Sequence, residues 1–279
     1  MIPQANITAW RQVAAWADDA QIEQDLVLSR AAVELFSAPA LDGSIALRGG
    51  TALHKLIVLP AHRYSEDIDL VQIKAAAIGS IIDAVRATLD PWLGKPGRDR
   101  SHDVATLRYQ FESEIAPVRS LRLKIEINTR EHFALQGLRH LKFGVENPWF
   151  TGECQVVTFA TDELMGTKLR ALYQRRKSRD LFDLWLCLSS GLLDPPVVVA
   201  NFLEYMRREG HRVTRAQFEE NLHDKERDRA FMSDILPLLR PGLKYDATTA
   251  LAMVRESLID LLPGDPWKTP SPKQRRKRG

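Results

Sequence analysis

Cysteine is scarce: Cys154 and Cys187 are the only two in 279 residues, too few for a disulfide framework or a four-ligand zinc site. The seven histidines contain no HxxxH or HxH pair, so neither a structural zinc site nor a secreted, stapled fold is expected. No stretch approaches the roughly eighteen apolar residues of a membrane span. The N-terminus lacks a basic flank, an apolar run and a small-residue cleavage site, so the expectation is a cytoplasmic protein without a membrane partner. An excess of one charge is missing too, with 39 Lys and Arg against 36 Asp and Glu, a net of +3. Six basic residues and one acidic lie from Pro263 onward, a net +5 that leaves the rest near −2. The body is therefore no uniformly basic nucleic-acid binder.

What is present is ordinary globular usage, 44% hydrophobic and 27% charged, enough for one large or two modest domains. Ile22, Leu26, Val33 and Phe36 share a helical face. A short strand at 44–47 runs into Gly49-Gly50, and Thr51 is placed to cap a helix that Pro60 stops. Residues 68–72 read as a strand, 75–89 as a helix and 94–103 as a polar loop. Alternation marks strands over 105–112 and 121–128, with a last short one at 156–159. From Thr161 strand signals stop, and helical periodicity runs through 161–175, 178–189, 196–208, 215–239 and 247–262. The expected fold is α+β: a mixed-sheet core over 1–160, an all-helical domain over 161–262 and a basic disordered tail over 263–279.

The segment from Leu47 to Val71, LRGGTALHKLIVLPAHRYSEDIDLV, holds the densest chemistry. On a strand, Ser65, Asp67 and Asp69 project to one side, with the carboxylates roughly 6 to 7 Å apart. Mg²⁺ is commonly held by one or two carboxylates together with phosphate oxygens. The Gly49-Gly50-Thr51 corner lets backbone approach a triphosphate, because no side chain stands in the way. A lone DxD is common in surface turns and a lone Gly-Gly-Thr is no more specific. Together, in a strand–turn–helix–strand context, they make a triphosphate site.

A second constellation is DELMGTKLRALYQRRKSRDLFDLW, Asp162 to Trp185. Glu163 and Lys168 are five apart, outside helical pairing distance, which leaves Lys168 for another partner such as a phosphate. Asp183 sits in an almost wholly apolar run, where an unpaired carboxylate would cost several kcal/mol. Arg179, Lys168 or a metal-bound substrate must then compensate it, and Asp180 is a further candidate. On 121–128, Arg122, Lys124, Glu126 and Asn128 share a face; Glu126 is either a third metal ligand or the base that takes a hydroxyl proton, against the bland reading of cross-strand ion pairs. P-loop, dinucleotide and kinase templates do not fit these spacings.

GGTAL at 49–53, RYSEDIDL at 63–70, KIEIN at 124–128, ELMGTKLRAL at 163–172 and RDLFDL at 179–184 resemble, in order, the AbiEii/AbiGii toxin family of the DNA polymerase β-like nucleotidyltransferase superfamily. The resemblance implies a toxin that moves a nucleoside monophosphate from an NTP to an RNA 3′ end, with the tRNA acceptor end as target, and a cognate AbiEi-like antitoxin. It implies that Asp67 and Asp69 hold Mg²⁺, that Gly49, Gly50, Thr51, Arg63 and Ser65 contact the triphosphate, that Lys168 pairs with its phosphates, and that Asp183 and Glu126 complete the catalytic set. Where the superfamily carries Gly-Ser, this chain has Gly50-Thr51. The competing readings are transfer to a protein or small molecule, or a non-catalytic nucleotide-binding module. The tail is read as solvated or as an RNA grip.

Overall fold

Alternating burial along β2 and β5 organises the N-terminal unit of the computed structural model, which describes residues 2–101 and 103–268. The described chain clusters into two units, one of residues 1–164 with 237–244, the other of 165–236 with 245 onward. In the first, a short α1 (Gln4–Trp10) precedes α2 (Asp19–Ser37), which Asp18 caps by accepting the amide of Ala20 at 3.0 Å. α2 is buried nearly all round. Its buried Asp25 accepts the indole N–H of Trp10 at 2.8 Å and of Trp16 at 3.1 Å, and pairs with Lys55 Nζ at 2.7 Å. That satisfaction lets a carboxylate sit where the helical stripe called for an apolar residue.

Next come β1 (Ile45–Arg48), α3 (Gly49–Ala52) running into a widened turn over Leu53–Ile57, β2 (Asp67–Gln72) and α4 (Gly79–Leu93). β3 (Gly97–Arg100), β4 (Val104–Glu112), β5 (Ser120–Asn128), β6 (Leu138–Asn147) and β7 (Phe150–Phe159) follow. The seven strands form one mixed sheet in the order β3-β4-β5-β2-β1-β7-β6. β2 lies antiparallel to β1 and parallel to β5, and β1 is parallel to β7. α2 packs on β5 and β7, and α4 on α2 and β4. Ile68, Leu70, Leu123, Ile125 and Ile127 are buried, and the alternating partners Asp67, Asp69, Lys124 and Glu126 share the opposite side of the sheet.

The strand-to-helix expectations differ in detail. α4 begins at Gly79 rather than 75, and 97–100 is an edge strand inside the expected polar loop. The short strand expected at 156–159 is the end of a ten-residue strand paired with β6. Residues 237–244 fold back onto the first unit: Tyr64 N donates to Leu238 O at 2.8 Å, Arg240 N to His62 O at 2.9 Å, and Arg63 bridges Leu239 antiparallel.

The second unit is helical: the bulk of α5 (Thr161–Gln174), then α6 (Ser178–Ser189), α7 (Pro195–Arg208), α8 (Arg215–Glu226), α9 (Arg229–Ser233) and α10 (Ala247–Ser257). A reciprocal box between Thr214 and Gln217 starts α8, and Asp228 breaks the expected long helix by capping α9. Residues 263–268 of the expected tail lie against α8: Arg215 N donates to Pro263 O at 2.9 Å, and the Trp267 ring meets His223 at 4.9 Å. Residues 269–279, with the basic run from Lys273, lie outside the described residues. Among the described residues no helix is long and apolar enough to cross a membrane.

Candidate active site

The acidic site grows from the β1–α3 corner. Gly49 takes a φ of +77°, a conformation that disfavours L side chains, and a Cβ there would collide with Asp69 Oδ2. A Cβ on Gly50 would run into the Arg63 guanidinium and lie 3.1 Å from Ser65 Oγ. Gly49, Gly50, Arg63, Ser65 and Asp69 are therefore neighbours. Thr51 is buried and caps nothing. Its Oγ1 donates to Asp67 O at 2.5 Å and lies 2.9 Å from Ser65 Oγ, tying the corner to the start of β2. Arg63 is also buried, its Nη1 donating to Tyr64 O at 2.9 Å.

Parallel pairing of β2 with β5 places Asp67 beside Lys124 and Asp69 beside Glu126. Lys124 Nζ lies 3.0 Å from Asp67 Oδ2 and 3.0 Å from Glu126 Oε2. Asp67 Oδ1 is buried with no hydrogen-bond partner. Burial pushes the Asp67 carboxyl up to about 6 even though Lys124 pulls the other way. For Lys124 burial works against the charge, but the two carboxylates outweigh it and hold the amine above the ordinary lysine value. Arg48, at the end of β1, pairs with Glu131.

The second constellation is assembled inside the helical unit. Lys168 on α5 places Nζ 3.2 Å from Asp180 Oδ1 and 2.9 Å from Asp183 Oδ2, both aspartates on α6 and fully buried. Arg175 adds a fork to Asp180, Nε to Oδ2 at 2.8 Å and Nη2 to Oδ1 at 3.0 Å. Burial alone would raise the Asp180 carboxyl; Lys168 and Arg175 overcome it and hold it below the usual carboxylate range. Of the three compensations open to Asp183, Lys168 is one the structure supplies. Glu163, in the first unit, accepts the amides of Leu135 at 2.7 Å and Gln136 at 2.9 Å and so anchors the loop before β6.

The role of Lys124 escaped the sequence, where it was one member of a polar strand face. Its pairing across to Asp67 needs the β2–β5 register, which no local pattern announces. The one local signal was that Lys124 shares a strand face with Glu126, two residues on. The basic group at 170–177 is largely engaged: Arg170 pairs with Glu209 at 2.6 Å, Arg175 with Asp180, and Arg176 with Asp228 at 3.5 Å.

The mixed-sheet fold that carries this glycine corner and Asp-x-Asp strand is shared with solved nucleotidyltransferase structures. MenT4, a nucleotidyltransferase toxin from Mycobacterium tuberculosis, has the same fold at a TM-score of 0.64 and 17% identity, over 95% of this chain and 92% of that one. JHP933 from Helicobacter pylori follows at 0.52 and 17% identity, over 88% and 92%. A nucleotidyltransferase from the same bacterium, its function assigned only provisionally, matches at 0.51 and 18% identity, over 85% and 92%. No curated protein sequence matches the chain significantly. The profile of the nucleotidyl transferase AbiEii toxin of type IV toxin–antitoxin systems matches residues 30–253, and the chain belongs to that family. It is a nucleotidyltransferase toxin, and membership implies an antitoxin partner.

Proposed function

We propose that the protein moves a nucleoside monophosphate from an NTP to the 3′ end of an RNA, the tRNA acceptor end, with Mg²⁺, and that a cognate AbiEi-like antitoxin silences it. The observation that carries this reading is the buried, unpartnered Oδ1 of Asp67 on β2, with Asp69 two places along the same strand and Glu126 opposite Asp69 on β5. Among the described residues no three acidic or histidine side chains are already gathered as a cage. Two carboxylates with an open oxygen suit a Mg²⁺ that arrives with phosphate oxygens. Asp67 and Asp69 would hold it, and the chemistry supplied is charge neutralisation at the phosphates and a lowered hydroxyl pKa.

The chain's own residues do the rest. Gly49 and Gly50 let the Asp69 carboxylate and the Arg63 guanidinium close onto the corner backbone, beside which the triphosphate would lie. Thr51 and Ser65 fix the corner to β2, and the Arg63 guanidinium lies against Gly50, where it would contact the triphosphate. An RNA hydroxyl oxygen bonds to the α-phosphorus as the bond to pyrophosphate breaks, and Glu126 takes the hydroxyl proton. The roles of Lys168 as a phosphate contact and Asp183 as a site carboxylate enter through the family motif.

The test incubates the purified protein with Mg²⁺ and each labelled NTP in turn, with total RNA and lysate protein present. Label at RNA 3′ ends, lost in Asp67→Asn and Asp69→Asn, is the expected result. Label on protein or on small molecules would move the acceptor, and unchanged NTP together with full toxicity of Asp67→Asn would end the reading.

A further inference from the structure

We propose that Lys124 is a resident counter-cation of the acidic site, holding the charge position that a divalent ion takes over, so that the protein binds free metal weakly and accepts it chiefly with nucleotide. The inference rests on the reading of Asp67 and Asp69 as metal ligands. Its geometry is independent of that reading. The ammonium of Lys124 sits 3.0 Å from one Asp67 oxygen and 3.0 Å from one Glu126 oxygen, while the other Asp67 oxygen is buried and unpartnered. The carboxylate is thus half satisfied by a cation belonging to the chain.

The β2–β5 register fixes the arrangement, because Asp67 and Lys124 are directly paired neighbours on one side of the sheet. The Lys124 side chain is 20% exposed and that of Glu126 37%, against 13% for Asp67. An ammonium on a flexible four-carbon stem can leave Asp67 without backbone movement and remain on the more open Glu126. Free metal must displace the ammonium from Asp67 and then bear its repulsion at close range. An NTP-bound metal brings phosphate charge that offsets the repulsion and gives the freed ammonium an anion to face. Lys124 therefore discriminates between free and nucleotide-borne metal.

Mn²⁺ binding to the full chain without nucleotide, followed by calorimetry and by loss of the free-ion spin-resonance signal, tests this. Lys124→Met should bind Mn²⁺ at least about tenfold tighter than wild type, the equivalent of roughly 1.4 kcal/mol. Lys124→Gln, which keeps a hydrogen-bond donor beside Asp67, should tighten in the same direction and guards against a folding defect in the first variant. Lys124→Arg should stay near wild type, and adding Asp67→Asn to Lys124→Met should remove the gain. Folded Met and Gln variants with unchanged or weaker Mn²⁺ affinity would overturn the proposal, even with nucleotide transfer intact. Absence of both Mn²⁺ binding and transfer in every variant and in wild type would instead overturn the reading beneath it.

Discussion

Gly49 leaves open the volume that the carboxylate of Asp69 fills: any Cβ at that corner would overlap Asp69 Oδ2. The residue that follows β1 and the second aspartate of the DxD pair are thus fitted to each other, and the positive φ of Gly49 makes the fit possible.

Gly49→Ala should therefore both strain the backbone and push Asp69 aside. A loss of about 1 to 3 kcal/mol is expected from the unfavourable conformation and the overlap. Transfer activity should fall by more than the stability loss accounts for, because Asp69 moves. Thermal unfolding beside a labelled-NTP assay checks both, and a variant with wild-type activity would disconnect the corner from the site.

Asp67→Asn should stabilise the protein at neutral pH while abolishing transfer. The folded Asp67 carboxyl titrates at about 6 against an ordinary 3.8, so the folded state holds its proton more tightly than the unfolded chain. The sign follows: the stability this group contributes is complete below the unfolded value and is lost as pH rises to and through the folded one. The gain in melting temperature should be small near pH 4 and reach a plateau above about pH 6, equivalent to an energy on the order of 3 kcal/mol. A gain independent of pH would rule out the buried carboxylate as its source.

Lys168→Met should be destabilising as well as inactive. The substitution removes the ammonium that Asp180 and Asp183 share, while the Arg175 guanidinium stays on Asp180. Breaking such a cluster from one side costs about 3 to 5 kcal/mol. A calorimetric scan reads the loss, and an unchanged melting temperature would mean that the buried aspartates find compensation elsewhere.

Lys225 makes a fourth case. Its amine, nearly inaccessible, donates to the carbonyls of Leu172 and of Tyr173 (3.2 Å) at the end of α5. Burial, aided by Arg176, pushes it down to about 8. Lys225→Met leaves those carbonyls without this donor and should cost about 1 to 3 kcal/mol. Because the folded value lies below the ordinary 10.5, wild type gains stability as pH rises through that window and the variant does not. The gap between their melting temperatures should widen from about pH 8 to about pH 10.

Much of the site was legible because its parts are local. Gly-Gly-Thr, the alternating Ser-x-Asp-x-Asp and the apolar surroundings of Asp183 each lie within one element, where spacing alone decides which side chains share a face. The β5 face of Lys124, Glu126 and Asn128 was legible for the same reason. What was not legible depended on partners far along the chain. Thr51 reads as a cap, yet its hydroxyl is drawn inward by Asp67 O on another strand. Lys168 reads as available, and folding gives it two aspartates on the next helix. β6 alternates from His140 onward, with exposed His140, Lys142, Gly144 and Glu146 between the better covered Leu141, Phe143, Val145 and Asn147, and that signal was passed over; its place at the sheet edge comes from pairing with β7.

The return of residues 237–244 to the first unit has a practical meaning for anyone dissecting the molecule. A fragment stopped after β7 would lack the backbone donor and acceptor that meet His62 and Tyr64, immediately upstream of the acidic strand. No single cleavage point divides this chain into two intact halves, so fragments meant to inherit one half's properties must carry that late segment in trans or by fusion.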